Sequence, residues 1–146
     1  MIKPLKNPPK DSEVVGIVYY PYTFFKFLLE VRKLLRQPVK VNAYVLVDMA
    51  RNRAYPADSI PDTEVADIDE SLVVPPRVSI KKAEEVARRF LAYYAMRVWK
   101  AFLPPKITVK EVIQAYKIYL IIKLGPNTYL FDTLYGDAEL LRRGNE

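Results

Sequence analysis

The sequence predicts an α+β fold, in which an antiparallel sheet built from two related hairpins is crossed by one long helix. Three observations predict it. Residues 79–102 carry apolar side chains at helical spacing, the segments on either side alternate apolar and polar residues as strands do, and a Pro-Pro pair precedes each of these three parts. We therefore expect a sheet of four to six strands with the helix across one face.

The helix has clear boundaries and one apolar stripe. Ser79 can cap its N terminus, and Pro104-Pro105 stops it just beyond Phe102. Phe90 lies on the stripe, so Phe90→Ala is expected to cost about 3–5 kcal/mol as a core truncation. At 100° per residue, the core-facing residues are Ile80, Ala83, Ala87, Phe90, Leu91, Tyr94, Val98, Ala101 and Phe102.

The outward face of this helix changes character along its length. Its first half carries lysine and glutamate, whereas its second half carries aromatic and apolar residues among cations. Either a neighbouring loop or second protomer covers that end as plain structure, or the end is a recognition surface, because Trp, Tyr, Met and Arg are enriched at interfaces. The candidate partner-binding residues are Arg89, Tyr93, Met96, Trp99 and Lys100.

The first half of the chain reads as strands. A strand is expected from Glu13 to Tyr22, bent at Pro21. Residues 23–36 fit both a strand and a helix, and the strand is favoured because residues 39–47 alternate cleanly after it. The two would form a hairpin that turns near residues 36–38 and ends at Asp48.

An irregular crossing segment is predicted at residues 56–78. It contains the acidic segment, residues 58–70, which holds six acids and no base. Four of these acids could hold a calcium ion, but the EF-hand spacing and its glycine are missing, so we predict a solvated loop and no metal site. The four are Asp62, Glu64, Asp67 and Asp69.

Strand patterning returns after the helix. Residues 116–124 alternate apolar and polar side chains, Gly125-Pro126-Asn127 is a turn, and residues 128–132 run back. The tail, residues 138–146, is expected to fray.

The two strand regions predict an internal duplication, residues 13–53 and 108–137, within a single domain of 146 residues. Glu13-Val14-Val15 matches Glu111-Val112-Ile113. Asp48 precedes Asn52 by four residues, as Asp132 precedes Gly136.

The long helix, taken together with the second strand region, resembles the PepSY and cystatin-like group, because the hairpin that follows the helix ends in Asp-Thr-Leu-Tyr-Gly at 132–136. The resemblance covers residues 79–140. The first region departs from it, because it has no room for a helix before Val14 and has Asn52 in place of the glycine. The resemblance implies a non-catalytic module that binds proteins or peptides, and it assigns no functional residue.

Composition narrows the chemistry. Without cysteine or histidine, the chain has no disulfide, thiolate nucleophile or Ser-His triad and few ways to bind zinc, copper or haem. We predict no enzyme and no cofactor. No stretch approaches 18 uncharged apolar residues, so no membrane span is expected, and a cytoplasmic location follows by default. Few Gln, many Tyr and Pro, and no Cys suggest adaptation to heat, and therefore a source that is a hyperthermophile or something that infects one.

Two functions remain in view. The first is a non-enzymatic interaction module that binds a protein partner or itself as a homodimer. The alternative is binding of single-stranded nucleic acid, because outside the acidic segment 23 bases stand against 11 acids, a net charge of +12. Its candidate residues are Tyr20, Tyr22, Lys26, Arg89 and Lys100.

Overall fold

The computed structural model describes residues 1–101 and 103–144 of the chain. Within them the strands are hydrogen-bonded in the order β3-β2-β1-β4-β5-β6. The pairs β1–β2, β2–β3, β4–β5 and β5–β6 are antiparallel. In chain order the elements are β1 (Glu13–Val31), β2 (Val39–Asp48), β3 (Arg53–Ala57), a 3₁₀ turn (Glu70–Leu72), α1 (Ile80–Arg97), β4 (Lys106–Leu124), β5 (Asn127–Asp132) and β6 (Ala138–Arg142).

The predicted α+β fold class is wrong, because the chain is mostly antiparallel sheet, with 47% strand and only 15% helix. Two strands, β3 and β6, form where no strand was expected, and β1 runs on without a break for 19 residues. The helix is also shorter than the predicted 79–102, since it ends at Arg97, and it packs against β2 and β3 rather than across the sheet.

The chain divides into two compact units, and both long strands, β1 and β4, contribute to each of them. The helix unit comprises Tyr22–Ile60 and Pro76–Gln114 and contains α1. The terminal unit comprises Met1–Pro21, Pro61–Pro75 and Ala115–Glu146. The single domain expected from the sequence stays a prediction.

The core of the helix unit is built on one face of β1. Phe25, Phe27, Leu29 and Val31 alternate along the strand and are all buried, as period-2 side-chain geometry requires. The rings of Phe25 and Phe27 stack with their centroids 5.6 Å apart. The strand alternative for this segment is therefore confirmed as far as Val31.

The face of α1 that meets this core consists of small residues. Ala83, Ala87, Leu91 and Ala95 are buried, and small side chains let a helix approach a sheet that already supplies large phenylalanine rings. The predicted stripe was therefore centred differently, since Ile80 and Val98 are exposed, Phe90 and Tyr94 are half-buried, and Phe102 lies outside the described residues.

Both ends of α1 are fixed by local hydrogen bonds. The Ser79 hydroxyl oxygen accepts from the backbone N–H of Lys82 at 3.2 Å, as predicted for an N-cap. Past Arg97 the chain turns at Lys100, which has a φ of 52°. The N–H of Ala101 then donates to the carbonyl of Ala95 at 3.1 Å, so the chain folds back and buries Ala101.

The terminal unit is organised by a tight hairpin. Leu124 pairs with Asn127, so the turn consists of Gly125 and Pro126 and is one residue shorter than the predicted Gly125-Pro126-Asn127. Gly125 takes the positive φ of 61° that such a turn requires. Ile118, Ile122 and Phe131 are buried. The tail does not fray at residues 138–142, because they pair with β5 as β6, with a bulge at Thr128/Tyr129.

Strands β2 and β5 end in the same kind of turn. Asp48 Oδ1 accepts from the N–H groups of the residues two and three positions later, at 3.0 and 2.9 Å, and Asp132 Oδ1 does the same at 2.8 and 3.1 Å. Four residues after each aspartate, Asn52 and Gly136 have positive φ values of 55° and 82°. The shared turn agrees with the proposed duplication, which stays a prediction.

Candidate binding surfaces

The C-terminal half of α1 exposes large side chains on its outward face. Arg89, Tyr93 and Met96 follow one another at spacings of four and three residues, which places them in one row on the helix surface. The side chains of Tyr93 and Met96 are 62% and 43% exposed. This row contains three of the five residues predicted to bind a partner, and two of them present large side chains to solvent.

Trp99, a fourth member of that predicted set, points inward. It follows the last turn of α1, is half-buried and packs against the core of the helix unit. Its ring meets that of Tyr94 edge-on with centroids 5.2 Å apart, and Tyr94 in turn lies 5.8 Å from Phe90. Lys100 is exposed. The helix end therefore carries two surfaces, an outward row and an inward aromatic wall.

The aromatic wall forms one side of an open groove of about 270 Å³. Residues of α1, β2 and the end of β3 line it, and Asp58 contributes a carboxylate at the β3 end. The lining residues are Asn42, Ala43, Tyr44, Pro56, Ala57, Asp58, Phe90, Leu91, Tyr94 and Trp99. Its helix wall is aromatic and aliphatic, and Asp58 is the one acidic or basic residue in the lining, so the groove suits an apolar side chain with polar groups at its mouth.

The end of α1 that forms the groove wall also carries cations. Helical spacing puts Tyr93 and Arg97 in the row next to Phe90 and Tyr94. The Arg97 guanidinium donates a hydrogen bond to the Tyr93 hydroxyl and lies 5.7 Å from the centre of its ring. Arg89 and Lys100 are exposed on the same end of the helix, so this end of α1 is basic and favours an acidic partner.

The residues of the nucleic-acid alternative are not gathered on one face. Lys26 lies between Phe25 and Phe27 on β1, and these two face the core under α1, so Lys26 points away from α1. Arg89 lies on α1 itself, and Lys100 follows its C-terminal end. Tyr22 is half-buried at the start of the same strand segment. In the terminal unit, Tyr20 is half-buried with its ring 6.0 Å from that of Tyr119.

The sheet face of the helix unit that points away from α1 has its own basic character. Lys26 Nζ lies 5.9 Å from the centre of the Tyr44 ring, which is its cross-strand partner on β2. Farther along, a shallow depression of about 100 Å³ is lined by Leu28, Glu30, Lys40, Lys106 and Thr108. This combination of aromatic rings and lysines suits phosphate and base contacts better than the predicted residue set does.

A hairpin tip joins this face. Leu34 and Leu35 lie in the loop between β1 and β2 and are 63% and 96% exposed, and Leu35 has a φ of 60°. Arg32 and Arg36 flank them and are exposed. Sequence reasoning placed the turn here but gave the leucines no role, because their exposure depends on where the strands stop pairing.

The terminal unit contains a buried ion pair that sequence reasoning missed. Lys117 Nζ lies 2.6 Å from Asp132 Oδ2, and the side chains are only 8% and 12% exposed. The ammonium also lies 5.0 Å from the centre of the Tyr119 ring and 4.6 Å from that of Tyr135. A lysine of this chain therefore fills a cage of two aromatic rings and a carboxylate.

The cage determines the protonation of Lys117. Burial disfavours the charged form, but the hydrogen bond to Asp132 and the interactions with Tyr119 outweigh it and raise the pKa of Lys117 above its usual 10.5. An ammonium that stays protonated is a poor nucleophile or base at neutral pH, so the geometry supports a structural role.

Hairpin register was the signal that could have revealed this pair. The two-residue turn at Gly125-Pro126 sets Tyr119 opposite Asp132, and Lys117 is two residues earlier on the same face of β4. The turn alone does not reveal the pair, because the register must be followed from the turn back to Tyr119 and then to Lys117.

The acidic segment is held at its base and open at its tip. Glu64 exchanges backbone hydrogen bonds with Met1, each 2.8 Å long, and Lys3 N–H donates to the carbonyl of Asp62 at 3.0 Å. The Asp69 carboxylate caps the 3₁₀ turn by accepting a hydrogen bond from Ser71 N–H at 2.9 Å. It also accepts one from the Ser71 hydroxyl, and the hydroxyl bond together with the N–H bond lowers the pKa of Asp69. No group of three or more carboxylates within residues 1–101 and 103–144 is arranged to hold a metal ion.

Comparison of the chain with protein-family models, curated proteins and solved structures finds no match. The resemblance to the PepSY and cystatin-like group therefore stays a prediction. In the described part of the chain, no helix combines the length and the apolar character that a membrane span needs.

Proposed function

We propose that this chain is a non-enzymatic protein-interaction module that binds its partner at the C-terminal end of α1. The observation that carries the proposal is the open aromatic groove of about 270 Å³ beside exposed Tyr93 and Met96. Exposed aromatic and Met side chains beside a desolvated pocket are typical of binding hot spots.

The size of the groove favours a protein partner over a small molecule. Pockets for drug-sized ligands usually measure about 300–1,000 Å³ and bury most of the ligand, whereas this groove is smaller and open. It can accept one apolar side chain while the Tyr93 row contacts the surface around it. Phe90, Tyr94 and Trp99 already pack against one another, so ordering them on binding costs little entropy.

A selection from a random peptide library tests this proposal, because it requires no known partner. Trp99 is the only tryptophan of the chain, so its fluorescence reports occupancy of the groove. We expect selected peptides to change that fluorescence and to bind Tyr93→Asp about 30-fold or more weakly, the loss typical of a hot-spot residue.

Lys81→Asp is the matched control, because it places the same charge at an exposed position on the polar half of α1. It should leave affinity unchanged. Peptides that bind the wild type and Tyr93→Asp equally well, or that leave Trp99 fluorescence unaltered, would refute the proposal.

Binding of single-stranded nucleic acid is the second candidate, supported by the pairing of Lys26 with Tyr44 and by Lys40 and Lys106 on the sheet face away from α1. Anisotropy of labelled single-stranded DNA should show a dissociation constant that rises steeply with salt. It should also rise with Lys26→Glu but not with Lys82→Glu, which makes the same charge change on α1. Equal effects of the two variants, or binding insensitive to salt, would eliminate this candidate.

The cytoplasmic location and hyperthermophilic source expected from the sequence stay predictions.

A further inference from the structure

The acidic segment carries a fully exposed apolar residue in the middle of its acidic side chains. Val65 has a relative exposure of 105%, and no other side chain within the described residues covers it. Asp62 and Glu64 precede it, and Asp67 and Asp69 follow it. An isolated exposed valine needs no explanation. A valine that is held in place by hydrogen bonds on either side and surrounded by four carboxylates is suited to insert into a pocket of a partner.

The support is rigid on both sides of Val65. Backbone hydrogen bonds tie Glu64 to Met1 and Asp62 to Lys3. The capped 3₁₀ turn begins at Glu70. The intervening loop is therefore short and held at each end, so presenting Val65 to a partner costs little further ordering.

The groove of the helix unit has the complementary character. It can accept one apolar side chain, and the end of α1 that forms its wall exposes Arg89, Arg97 and Lys100, whereas Asp58 is the one carboxylate among its lining residues. An apolar anchor with acidic neighbours and an apolar groove on a basic helix end match in polarity and charge.

We propose that the partner of the groove is a second copy of this chain, which inserts Val65 of its acidic segment. This rests on the proposed function, since it uses the same groove and names the occupant. Each copy carries both elements, so two reciprocal contacts close a dimer, and contacts that do not close would extend into longer assemblies. Because exposed charges surround the contact, the association should weaken as salt screens them.

Sedimentation velocity over a concentration series, with two variants, tests the inference. Val65→Asp removes the anchor and leaves the groove intact, whereas Arg97→Glu reverses a charge beside the groove and leaves the anchor intact. We expect the wild type to associate with increasing concentration and each variant to raise the dissociation constant about 30-fold or more, as loss of a hot-spot residue does. Both positions are exposed, and Lys100→Glu provides a second groove variant should Arg97→Glu disturb α1.

Mixing the two kinds of variant gives the decisive result. The groove of the Val65→Asp chain can still accept Val65 of the Arg97→Glu chain, so the mixture should form a heterodimer through one contact and stop there. Leu35→Asp, a change at another exposed apolar residue of the helix unit, is the control and should associate like the wild type.

A wild type that stays monomeric at every concentration overturns the inference, and so does association that Val65→Asp leaves unchanged. In either case library peptides that still bind at Trp99 would show that the groove takes a different protein, so failure of the inference is distinct from failure of the proposed function.

Discussion

Replacing Lys117 by Met tests the buried ion pair of the terminal unit most directly. The change keeps an unbranched apolar stem but leaves the Asp132 carboxylate without its counter-charge in a site where both side chains are nearly buried. Removing one partner of a buried pair costs about 3–5 kcal/mol. The N–H groups of Leu134 and Tyr135 still donate to Asp132, so we expect a loss near the lower limit, about 3 kcal/mol.

Urea unfolding followed by far-ultraviolet circular dichroism at pH 7 measures this loss, and a fall in melting temperature of roughly 10 °C should accompany it. Asp132→Asn keeps the Oδ1 acceptor of the turn and removes the negative charge. The double variant Lys117→Met/Asp132→Asn should therefore recover most of the stability. A single variant as stable as the wild type, or a double variant no better than Lys117→Met, would refute the reasoning.

The same pair predicts a dependence on alkaline pH. The pKa of Lys117 is raised in the folded chain above its usual 10.5. The stabilisation is therefore fully present below pH 10.5 and is lost as pH rises through the folded-state pKa. The difference in unfolding free energy between wild type and Lys117→Met should stay constant near neutrality and shrink above pH 10.5. A difference that grows with pH in that range would contradict this.

Two further predictions concern the core of the helix unit. The Thr23 hydroxyl is buried and has no hydrogen-bond partner within the described residues, so Thr23→Val should raise the unfolding free energy by about 1 kcal/mol in urea titrations. An unchanged or lower value would indicate a partner. Leu91→Ala should cost about 3 kcal/mol, and more than Phe90→Ala, because Leu91 is buried and Phe90 is only half-buried. A lower melting temperature for Phe90→Ala than for Leu91→Ala would show instead that Phe90 is the more important core residue, as the sequence predicted.

Local patterns in the sequence were sufficient for the elements whose geometry is local. Period-2 alternation predicts β1 and β2, the Ser79 cap begins α1 one residue later, and Gly125-Pro126 forms the expected turn. The two strands missed, β3 and β6, are five residues each. They are too short to show alternation. They are stabilised by pairing with a neighbouring strand and not by the strand propensity of their own residues.

The inward turn of Trp99 could not be read from helical periodicity. A helix continued to Phe102 would place Trp99 outward beside Met96, as predicted. Lys100 instead takes a positive φ of 52°, which costs energy for a non-glycine residue. Burial of Ala101 and the contact of Trp99 with Tyr94 offset that cost. The burial of Ala101 and the contact of Trp99 with Tyr94 both depend on tertiary packing. Residue type was therefore enough to predict a candidate site at this end of α1, but not its division into two surfaces.

Strand order and the two aspartate turns both bear on the predicted duplication. An aspartate that caps a tight turn is a common local solution, so Asp48 and Asp132 could have arisen independently. Register equates Tyr22 with Tyr119 and therefore Tyr20 with Lys117, so the lysine of the second half has no counterpart in the first. The order β3-β2-β1-β4-β5-β6, in contrast, runs outward identically from β1 and from β4. Consecutive antiparallel strands usually lie side by side, so this order agrees with a duplication without requiring one, and the duplication stays a prediction.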